Sequence, residues 1–249
     1  MKFVVTAGPT REHLDPVRFL SNPSTGKMGF AVARAAAMRG HEVALVAGPV
    51  SLKTPKGVRR IDVTSAREML AAVEKELFAN SRDMVRYSNG RVGDAPLPVG
   101  SALRADRISQ CSMVFVSTAA VADWRPAKCA ARKLKKGQMS DTLKLVRNPD
   151  ILKTVARRAK HQAPARASTI FVGFAAETND VIAEARRKCR EKNLDMIVAN
   201  DVTEKGSGFG VDTNRVTFVR KDGSVDRLPL MTKLAVARRI VRECEDLRP

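Results

Sequence analysis

A buried strand, a polar loop and the start of an apolar helix follow one another in V-V-T-A-G-P-T-R-E-H-L-D-P-V-R-F-L-S-N-P-S-T-G-K-M-G (Val4–Gly29). The strand is predicted over Phe3–Ala7 and the helix over Phe30–Arg39, and the apolar run Glu42–Ala47 predicts the next strand. A strand, a helix and a strand in this order normally give parallel strands with a right-handed crossover. Because ligands collect beyond the carboxyl ends of such strands, the loop is predicted to form the floor of an active site.

Three later helices carry a capping signal at their predicted start. Ser65 and Glu68 have the spacing of a capping box, which opens a helix to about Phe78. Asn148 is predicted to cap the next of these helices, with a proline at the first helical position. Thr232 is predicted to cap the final helix.

The predicted fold class is α/β, a Rossmann-like doubly wound sheet that is mostly parallel, with an antiparallel addition near the C-terminus. The addition is indicated by Asp222-Gly223, a hairpin signal between the strands Val216–Arg220 and Ser224–Pro229. The chain is predicted to be a single domain over residues 1–249. Residues 80–107 interrupt the alternation with glycines, prolines and arginines, and we interpret them as an inserted loop.

The chain carries a large positive charge, because 45 lysine and arginine residues outnumber 26 aspartate and glutamate residues, for a formal net charge of +19. Such a charge predicts polyanionic partners, which are nucleic acid, an anionic membrane or phosphate-rich small molecules. The basic residues are spread over predicted helices and loops, and one Trp with one Tyr offers few platforms for base stacking. A basic nucleic-acid-binding protein on a Rossmann-like scaffold therefore stays open as the alternative to an enzyme with a phosphate site.

Cysteine spacing and hydropathy predict a soluble, cytoplasmic protein. The chain shows no apolar signal core near Met1 and no apolar run of membrane-spanning length, so no membrane partner is expected. The four cysteines are far apart and form no C-x-x-C pair, which disfavours zinc sites and disulfide scaffolds. They are Cys111, Cys129, Cys189 and Cys244.

Several common site motifs are absent. The residues after Gly8 do not match the dinucleotide fingerprint G-x-G-x-x-G. Gly26-Lys27 lacks the earlier glycine of a P-loop, and Met28 stands where Ser or Thr would bind Mg²⁺. The three histidines are scattered, so the sequence indicates neither a catalytic triad nor a histidine metal cluster.

Four polar clusters lie at or near the carboxyl ends of predicted strands, and each has a plainer alternative. Asn22–Lys27 could bind an anion at a helix start or simply cap that helix. Asp123 could bind a ribose or help hold a metal, or it could cap a tight turn. The basic run containing Lys133 could neutralise a leaving pyrophosphate or be a solvated face. Lys188 and Lys192, four apart on a helix, could hold an anion between them or pair without function.

Six segments in a fixed order resemble one family. They are T-A-G-P-T-R-E-x-L-D-P-V-R-F-L-S-N-x-S-T-G-K-M-G, A-A-V-A-D-W-R-P, K-L-K-K, N-P-D-I-L, V-G-F-A-A-E-T and I-V-A-N-D-V. They resemble phosphopantothenate–cysteine ligase, also called phosphopantothenoylcysteine synthetase, an enzyme of coenzyme A biosynthesis. The resemblance implies that a nucleoside triphosphate activates the carboxylate of 4′-phosphopantothenate as an acyl nucleotidylate and releases pyrophosphate. The amine of L-cysteine then attacks the acyl group.

The resemblance also implies roles for individual residues. K-L-K-K and N-P-D-I-L look like the bacterial pattern, which uses CTP with Mg²⁺, so an acyl-cytidylate is expected. Asn22 matches the catalytic residue that binds the substrate carboxylate and the activated carbonyl, and Lys133 matches the catalytic lysine that stabilises charge on the leaving pyrophosphate or the acyl nucleotidylate. No residue is assigned to a metal. The implied nucleotide-binding residues are Ser24, Ala119, Asp123, Pro149, Asp150, Ile151, Leu152, Phe174, Lys188 and Lys192.

Assembly and domain content follow from the same resemblance. The family is dimeric, and strand signals near Val211–Val219 fit a C-terminal region that completes the partner's site. In most bacteria this domain follows a flavin-dependent decarboxylase on one polypeptide. That half is absent from this sequence, so the chain is either a stand-alone ligase or a fragment of a longer protein. No flavin is expected in this chain, and a separate decarboxylase is a candidate partner. Ser117 stands where a glycine is common, which makes close backbone approach there less certain.

Overall fold

The computed structural model describes residues 1–78, 113–135, 142–161, 169–177, 180–201, 204, 206–208 and 210–247. The inserted loop predicted at about 80–107 therefore lies outside the described residues. The helices within them are α1 (Lys27–Met38), α2 (Ala66–Phe78), α3 (Ile151–His161), α4 (Val181–Glu191) and α5 (Lys233–Asp246).

The described strands form one large sheet and three small antiparallel ribbons. In chain order, the large sheet contains β1 (Lys2–Ala7), β4 (Glu42–Ala47), β5 (Arg59–Asp62), β6 (Met113–Ser117), β9 (Thr169–Glu177), β10 (Met196–Asp201), β12 (Val216–Arg220) and β13 (Val225–Arg227). The ribbons pair β2 (Arg11–His13) with β3 (Phe19–Ser21), β7 (Trp124–Pro126) with β8 (Leu145–Arg147), and β11 (Thr213–Asn214) with β14 (Met231–Thr232).

The strand order β13-β12-β10-β9-β6-β1-β4-β5 confirms the predicted fold class. The strands from β10 to β5 run parallel, and β12 and β13 add to them antiparallel. Helices α1 and α5 cover one face, and α2, α3 and α4 cover the other. Every residue of β1 is buried because this strand lies inside a sheet covered on both faces, with Phe3 and Val5 in one core and Val4 in the other.

Two of the segments that carry the family resemblance are joined by hydrogen bonds just beyond the carboxyl end of β1. The backbone N–H of Ala120 donates to the Gly8 carbonyl at 2.9 Å. The buried Thr10 hydroxyl accepts a hydrogen bond from the Ala122 N–H at 3.0 Å. The loop after β1 and the loop after β6 are therefore held side by side, which places both at one edge of the sheet.

Gly29 explains why the first segment ends in a glycine. A Cβ atom at this position would lie 2.5 Å from the Ala7 Cβ and 2.4 Å from the Thr118 Oγ1. Helix α1 therefore begins in close contact with the ends of β1 and β6, and a larger residue would push it away. This contact aims the N-terminus of α1 at the carboxyl edge of the sheet.

Two of the three predicted caps are confirmed and one was wrong. Glu68 N–H donates to the Ser65 hydroxyl at 3.3 Å, and Ala235 N–H donates to the Thr232 hydroxyl at 3.2 Å. Asn148 does not cap the third helix. Asp150 does, because its Oδ1 accepts from the Lys153 N–H at 3.0 Å and the helix starts only at Ile151. Asn148 instead donates its side-chain amide to a loop carbonyl.

Candidate active site

A cavity of about 440 Å³ opens at the carboxyl ends of the central parallel strands. The loop after β6, the carboxyl-terminal half of β9 and the end of β10 contribute to its walls, and the N-termini of α1 and α3 point into it. This is the edge at which a doubly wound sheet normally binds its ligand. Of the residues singled out from the sequence, the cavity is lined by Asn22, Ser24, Ala119, Asp123, Pro149, Asp150, Ile151, Leu152, Phe174 and Lys192.

Asn22 is an exposed residue on the wall of the cavity, between β3 and α1. Its Nδ2 donates to the backbone carbonyl of Val121 at 3.0 Å, so the loop after β6 orients the amide. A neutral amide held in this way can present a donor to a developing negative charge without adding charge to the free site. The structure therefore places Asn22 on the cavity wall, and the catalytic role that the resemblance implies for it stays a prediction.

The start of α1 offers an anion site to the same cavity. Gly26, the N-cap residue, has φ 75° and no side-chain cap bond forms at this end. Ser24 Oγ accepts from the Gly26 N–H at 3.3 Å, and Thr25, Lys27 and the backbone around them line the cavity. The uncapped N–H groups and the positive end of the helix dipole suit a phosphate group.

The opposite wall of the cavity is formed by the N-P-D-I-L segment. Asp150 holds two elements together, because its Oδ1 caps α3 and its Oδ2 accepts from Lys192 Nζ at 2.8 Å. Ile151 and Leu152 are buried behind it, and Phe174 of β9 lies on the same cavity. The wall therefore combines apolar side chains with a fixed carboxylate, as expected for a base-binding pocket.

Asn148, which was wrongly predicted to cap the third helix, instead holds the loop that contains Ala122 and Asp123. Its Nδ2 donates to the Ala122 carbonyl at 2.8 Å, and its Oδ1 accepts from Arg125 at 3.1 Å. Asp123 lies next to Ala122 and is exposed at the cavity. The amide of Asn148 therefore sets the place of the carboxylate beside it.

Lys133 and Lys188 do not line the cavity. Lys133 is exposed on a segment without helix or strand, and residues 136–141 that follow it lie outside the described residues. Its catalytic role stays a prediction. Lys188 is half-buried on α4, whereas Lys192 follows the end of that helix and pairs with Asp150. The negatively charged group that Lys192 binds in the free chain is thus the carboxylate of Asp150.

The sequence reasoning missed a group of residues at the far end of the cavity. Lys233 is buried at the start of α5 and donates to the carbonyls of Gly208 and Val211 at 2.9 Å and 2.6 Å. Burial lowers the pKa of Lys233, and the nearby Lys27 lowers it further. Lys27 itself donates to Asp212 at 2.7 Å, an ion pair that lowers the pKa of the aspartate.

Two asparagines complete this end. Asn200 and Asn214 line the cavity, and each has a buried Oδ1 without a hydrogen-bond partner among the residues that the structure describes. Asn200 belongs to I-V-A-N-D-V, so the resemblance could have indicated it. Asn214 and Lys233 come from the antiparallel C-terminal region, whose approach to the cavity no local pattern indicates.

The donor set of the cavity fits a metal ion that arrives with a phosphate ligand. Within the described residues, no group of three or more His, Cys, Asp or Glu side chains is placed to hold an ion. Mg²⁺ is commonly bound by one or two carboxylates together with substrate phosphates and water. Asp123 and Asp150 are exposed carboxylates at the cavity, and Asp123 could supply such a ligand, whereas Asp150 is paired with Lys192.

Residues 1–86 and 102–247 match the family described as the DNA/pantothenate metabolism flavoprotein C-terminal domain. The chain belongs to that family. As a member of this flavoprotein C-terminal domain family, it is 44% identical over 238 residues to the coenzyme A biosynthesis bifunctional protein CoaBC of Vibrio cholerae, and 43% identical over 236 residues to that of Escherichia coli K12. The chain spans about half the length of these curated relatives, 50% and 48%.

Solved structures agree with this assignment. The C-terminal domain of a coenzyme A biosynthesis bifunctional protein CoaBC superposes with a TM-score of 0.68 at 40% identity, covering 99% of this chain and 96% of that one. A Cab2 mutant in complex with phosphopantothenate-cysteine shares the fold, with a TM-score of 0.66 at 16% identity, covering 98% of this chain and 85% of that one. The family predicted from the sequence is thus confirmed.

Among the described residues, no helix has the length and apolarity needed to cross a bilayer.

Proposed function

We propose that this chain is a phosphopantothenate–cysteine ligase, which joins 4′-phosphopantothenate to L-cysteine through an acyl-cytidylate in coenzyme A biosynthesis. The observation that carries the proposal is the convergence of Asn22, Asp123 and Lys192 on one cavity, although they come from three distant segments. Membership of the family and the bifunctional relatives support the same reading. A cytoplasmic location is part of this proposal.

The first step activates the carboxylate. A carboxylate oxygen of phosphopantothenate attacks the α-phosphorus of the nucleotide, and the bond to the pyrophosphate oxygen breaks, so that pyrophosphate leaves. The N-terminus of α1, with Ser24, binds phosphate oxygens through its N–H groups. Asp123 would hold Mg²⁺ together with the triphosphate, and the ion would supply charge neutralisation there. Lys133 would stabilise the charge on the leaving pyrophosphate.

The second step forms the amide. The neutral amine of cysteine attacks the activated carbonyl, negative charge develops on the carbonyl oxygen, and CMP leaves as the carbon–oxygen bond breaks. The Asn22 side chain, which Val121 orients in the free site, donates to that oxygen. One proton of the amine is lost to solvent or to the departing nucleotide. The protein's contribution is therefore position and a preorganised donor.

CTP is the proposed nucleotide. Ile151, Leu152 and Phe174 provide apolar walls, and the backbone of the N-P-D-I-L segment presents polar groups that can read a pyrimidine edge. We expect pyrophosphate release with CTP to exceed that with ATP, GTP or UTP in a coupled assay containing phosphopantothenate, cysteine and Mg²⁺. Equal rates with all four nucleotides would contradict CTP specificity. Absence of release, together with salt-dependent binding to nucleic acid polymers, would favour the nucleic-acid-binding alternative.

We also propose that the chain forms a homodimer through its β2–β3 and β7–β8 ribbons. These ribbons contact each other through β2 and β7, and their surface exposes large apolar side chains that a monomer would leave in water. The region near Val211–Val219, which the resemblance assigns to the partner's site, stays a second candidate interface, since Val211 is also exposed although β12 lies within the main sheet. A separate decarboxylase remains a candidate partner, since the relatives are bifunctional. Among the described residues, the exposed large apolar side chains in or next to the two ribbons are those of Val17, Phe19, Trp124, Leu143 and Leu145.

Trp124→Glu is expected to convert the dimer to a monomer, because the Trp124 side chain is 45% exposed in the isolated chain and a carboxylate at an apolar interface stays unpaired. Sedimentation velocity would measure the change. Met38→Glu is the matched control, because Met38 is exposed at the end of α1, away from the ribbons, and this variant should remain dimeric. A Trp124→Glu variant that sediments as the wild type would contradict this interface.

A further inference from the structure

Asp15 is a fully buried carboxylate outside the cavity, in the turn between β2 and β3. Its Oδ1 accepts from the backbone N–H groups of Val17 and Arg18, both at 2.9 Å, and so closes its own turn. Its Oδ2 accepts from Arg18 Nε at 3.0 Å and from the backbone N–H of Leu134 at 3.2 Å. One oxygen therefore serves the local turn, and the other reaches a segment 119 residues later in the chain.

The backbone of Leu134 is held from both sides by this pair. While its N–H donates to Asp15, its carbonyl accepts from Arg18 Nη2 at 2.8 Å. A third bond, from the Ala130 N–H to the Leu14 carbonyl at 2.8 Å, holds the start of the same segment. Residues 130–135 form no helix or strand, so these three bonds replace regular structure in fixing the segment.

The charge state of Asp15 suits this role. The hydrogen bonds from the Arg18 guanidinium hold the pKa of the Asp15 carboxyl well below its usual range, and the backbone donors lower it further. The carboxylate is therefore ionised at neutral pH, and both oxygens act only as acceptors. A charged acceptor keeps the Leu134 N–H and the guanidinium in one fixed arrangement.

Lys133 is the residue next to Leu134. We propose that Asp15 is a positioning residue that acts with Arg18 to fix the peptide backbone beside Lys133, and so sets the point from which the Lys133 amine reaches the reacting phosphates. This inference rests on the proposed ligase function and on the role of Lys133 in it. It gives a reason for a buried carboxylate outside the cavity, one oxygen of which accepts from Arg18 and also from a backbone N–H 119 residues later.

Asp15→Asn distinguishes the roles of the two carboxylate oxygens. The variant keeps one oxygen, which can still accept from the N–H groups of the β2–β3 turn, while its amide nitrogen cannot accept from Leu134 or Arg18. We expect kcat to fall by about 10- to 100-fold, the size of effect that a misplacement of about 1 Å produces, with the KM for CTP changed by less than about twofold.

A double-mutant cycle with Lys133→Gln tests whether the effect passes through the lysine. If Asp15 acts only by placing Lys133, Asp15→Asn should lower kcat by less than about twofold once Lys133 is absent. In a Lys128→Gln background, in which a different exposed lysine of the same stretch is changed, the full loss should persist. Asp62→Asn is the matched single control, since Asp62 is an exposed carboxylate paired with Arg60, and it should leave kcat unchanged.

If circular dichroism shows that Asp15→Asn does not fold, a second pair of variants tests the same proposal. Leu134→Pro removes the backbone N–H that donates to Asp15 and leaves the β2–β3 turn intact. Leu134→Ala keeps this N–H. The proline variant should lose kcat and the alanine variant should not. An inactive wild-type chain would contradict the proposed function itself. An active wild type in which Asp15→Asn has no effect, or has equal effects with and without Lys133, would overturn only the positioning role.

Discussion

Asn22→Ala is expected to lower the rate of amide formation by about 10²–10³-fold while leaving the fold intact. Asn22 is exposed, so its truncation opens no core cavity, and its Nδ2 already points along the cavity wall toward the Val121 carbonyl. Loss of one preorganised donor to a developing oxyanion carries a cost of this size. Formation of phosphopantothenoylcysteine, followed by mass spectrometry, is the measurement.

The neighbouring residue provides the control for this prediction. Pro23 is exposed and does not line the cavity, so Pro23→Ala should keep the rate within about twofold, as surface substitutions usually do. Thermal unfolding of both variants should match the wild type. Product formation by Asn22→Ala at the wild-type rate would contradict the assignment of the oxyanion donor to this amide.

Lys133→Gln is expected to cut turnover by about 10²–10³-fold, because the negative charge of the leaving pyrophosphate or of the acyl nucleotidylate would lose its cationic partner. The exposed position of Lys133 argues that the fold will not change. The experiment is decisive because Lys133 does not line the cavity in the free chain, so a large effect requires that the side chain of Lys133, from this chain or from a second subunit, reach the substrate. Steady-state pyrophosphate release measures it.

Lys128→Gln is the matched control, since Lys128 is an exposed lysine five positions earlier and is absent from the cavity wall. It should retain wild-type turnover, which would show that lost net charge alone does not explain the effect at Lys133. Equal turnover in the wild type and Lys133→Gln would remove Lys133 from the mechanism and, with it, the positioning role of Asp15.

The fold could be predicted from local patterns to a large extent. Alternating apolar runs and capping signals such as Ser65 with Glu68 are short-range features, and they gave the parallel sheet with its antiparallel end. The β2–β3 ribbon escaped prediction because three-residue strands have too little periodicity to register. The cap of the third helix was wrongly assigned to Asn148 because Asn148 and Asp150 are both good capping residues and stand two positions apart. The long-range bond from Asn148 to the Ala122 carbonyl, which engages Asn148 elsewhere, has no local signal in the sequence.

The site was predicted in part, and its missing members share one cause. Asn22 and Asp123 lie in the connections that follow the parallel strands β1 and β6, and Phe174 lies in the carboxyl-terminal half of β9, where the topology itself indicates a ligand. Lys233 and Asn214 reach the same cavity from the antiparallel end of the chain, through pairings such as β11 with β14. Contacts between residues so far apart in the chain leave no pattern in a short stretch of sequence.

The central claim is that the cavity activates a carboxylate by nucleotidyl transfer. Phosphopantothenate labelled with ¹⁸O in its carboxylate, turned over with CTP and cysteine, tests it most directly by mass spectrometry. The account predicts one ¹⁸O atom in the phosphate of CMP and unlabelled pyrophosphate, because a carboxylate oxygen becomes bonded to the α-phosphorus. Label in inorganic phosphate with formation of CDP, or product formed with no label in any phosphate, would contradict it.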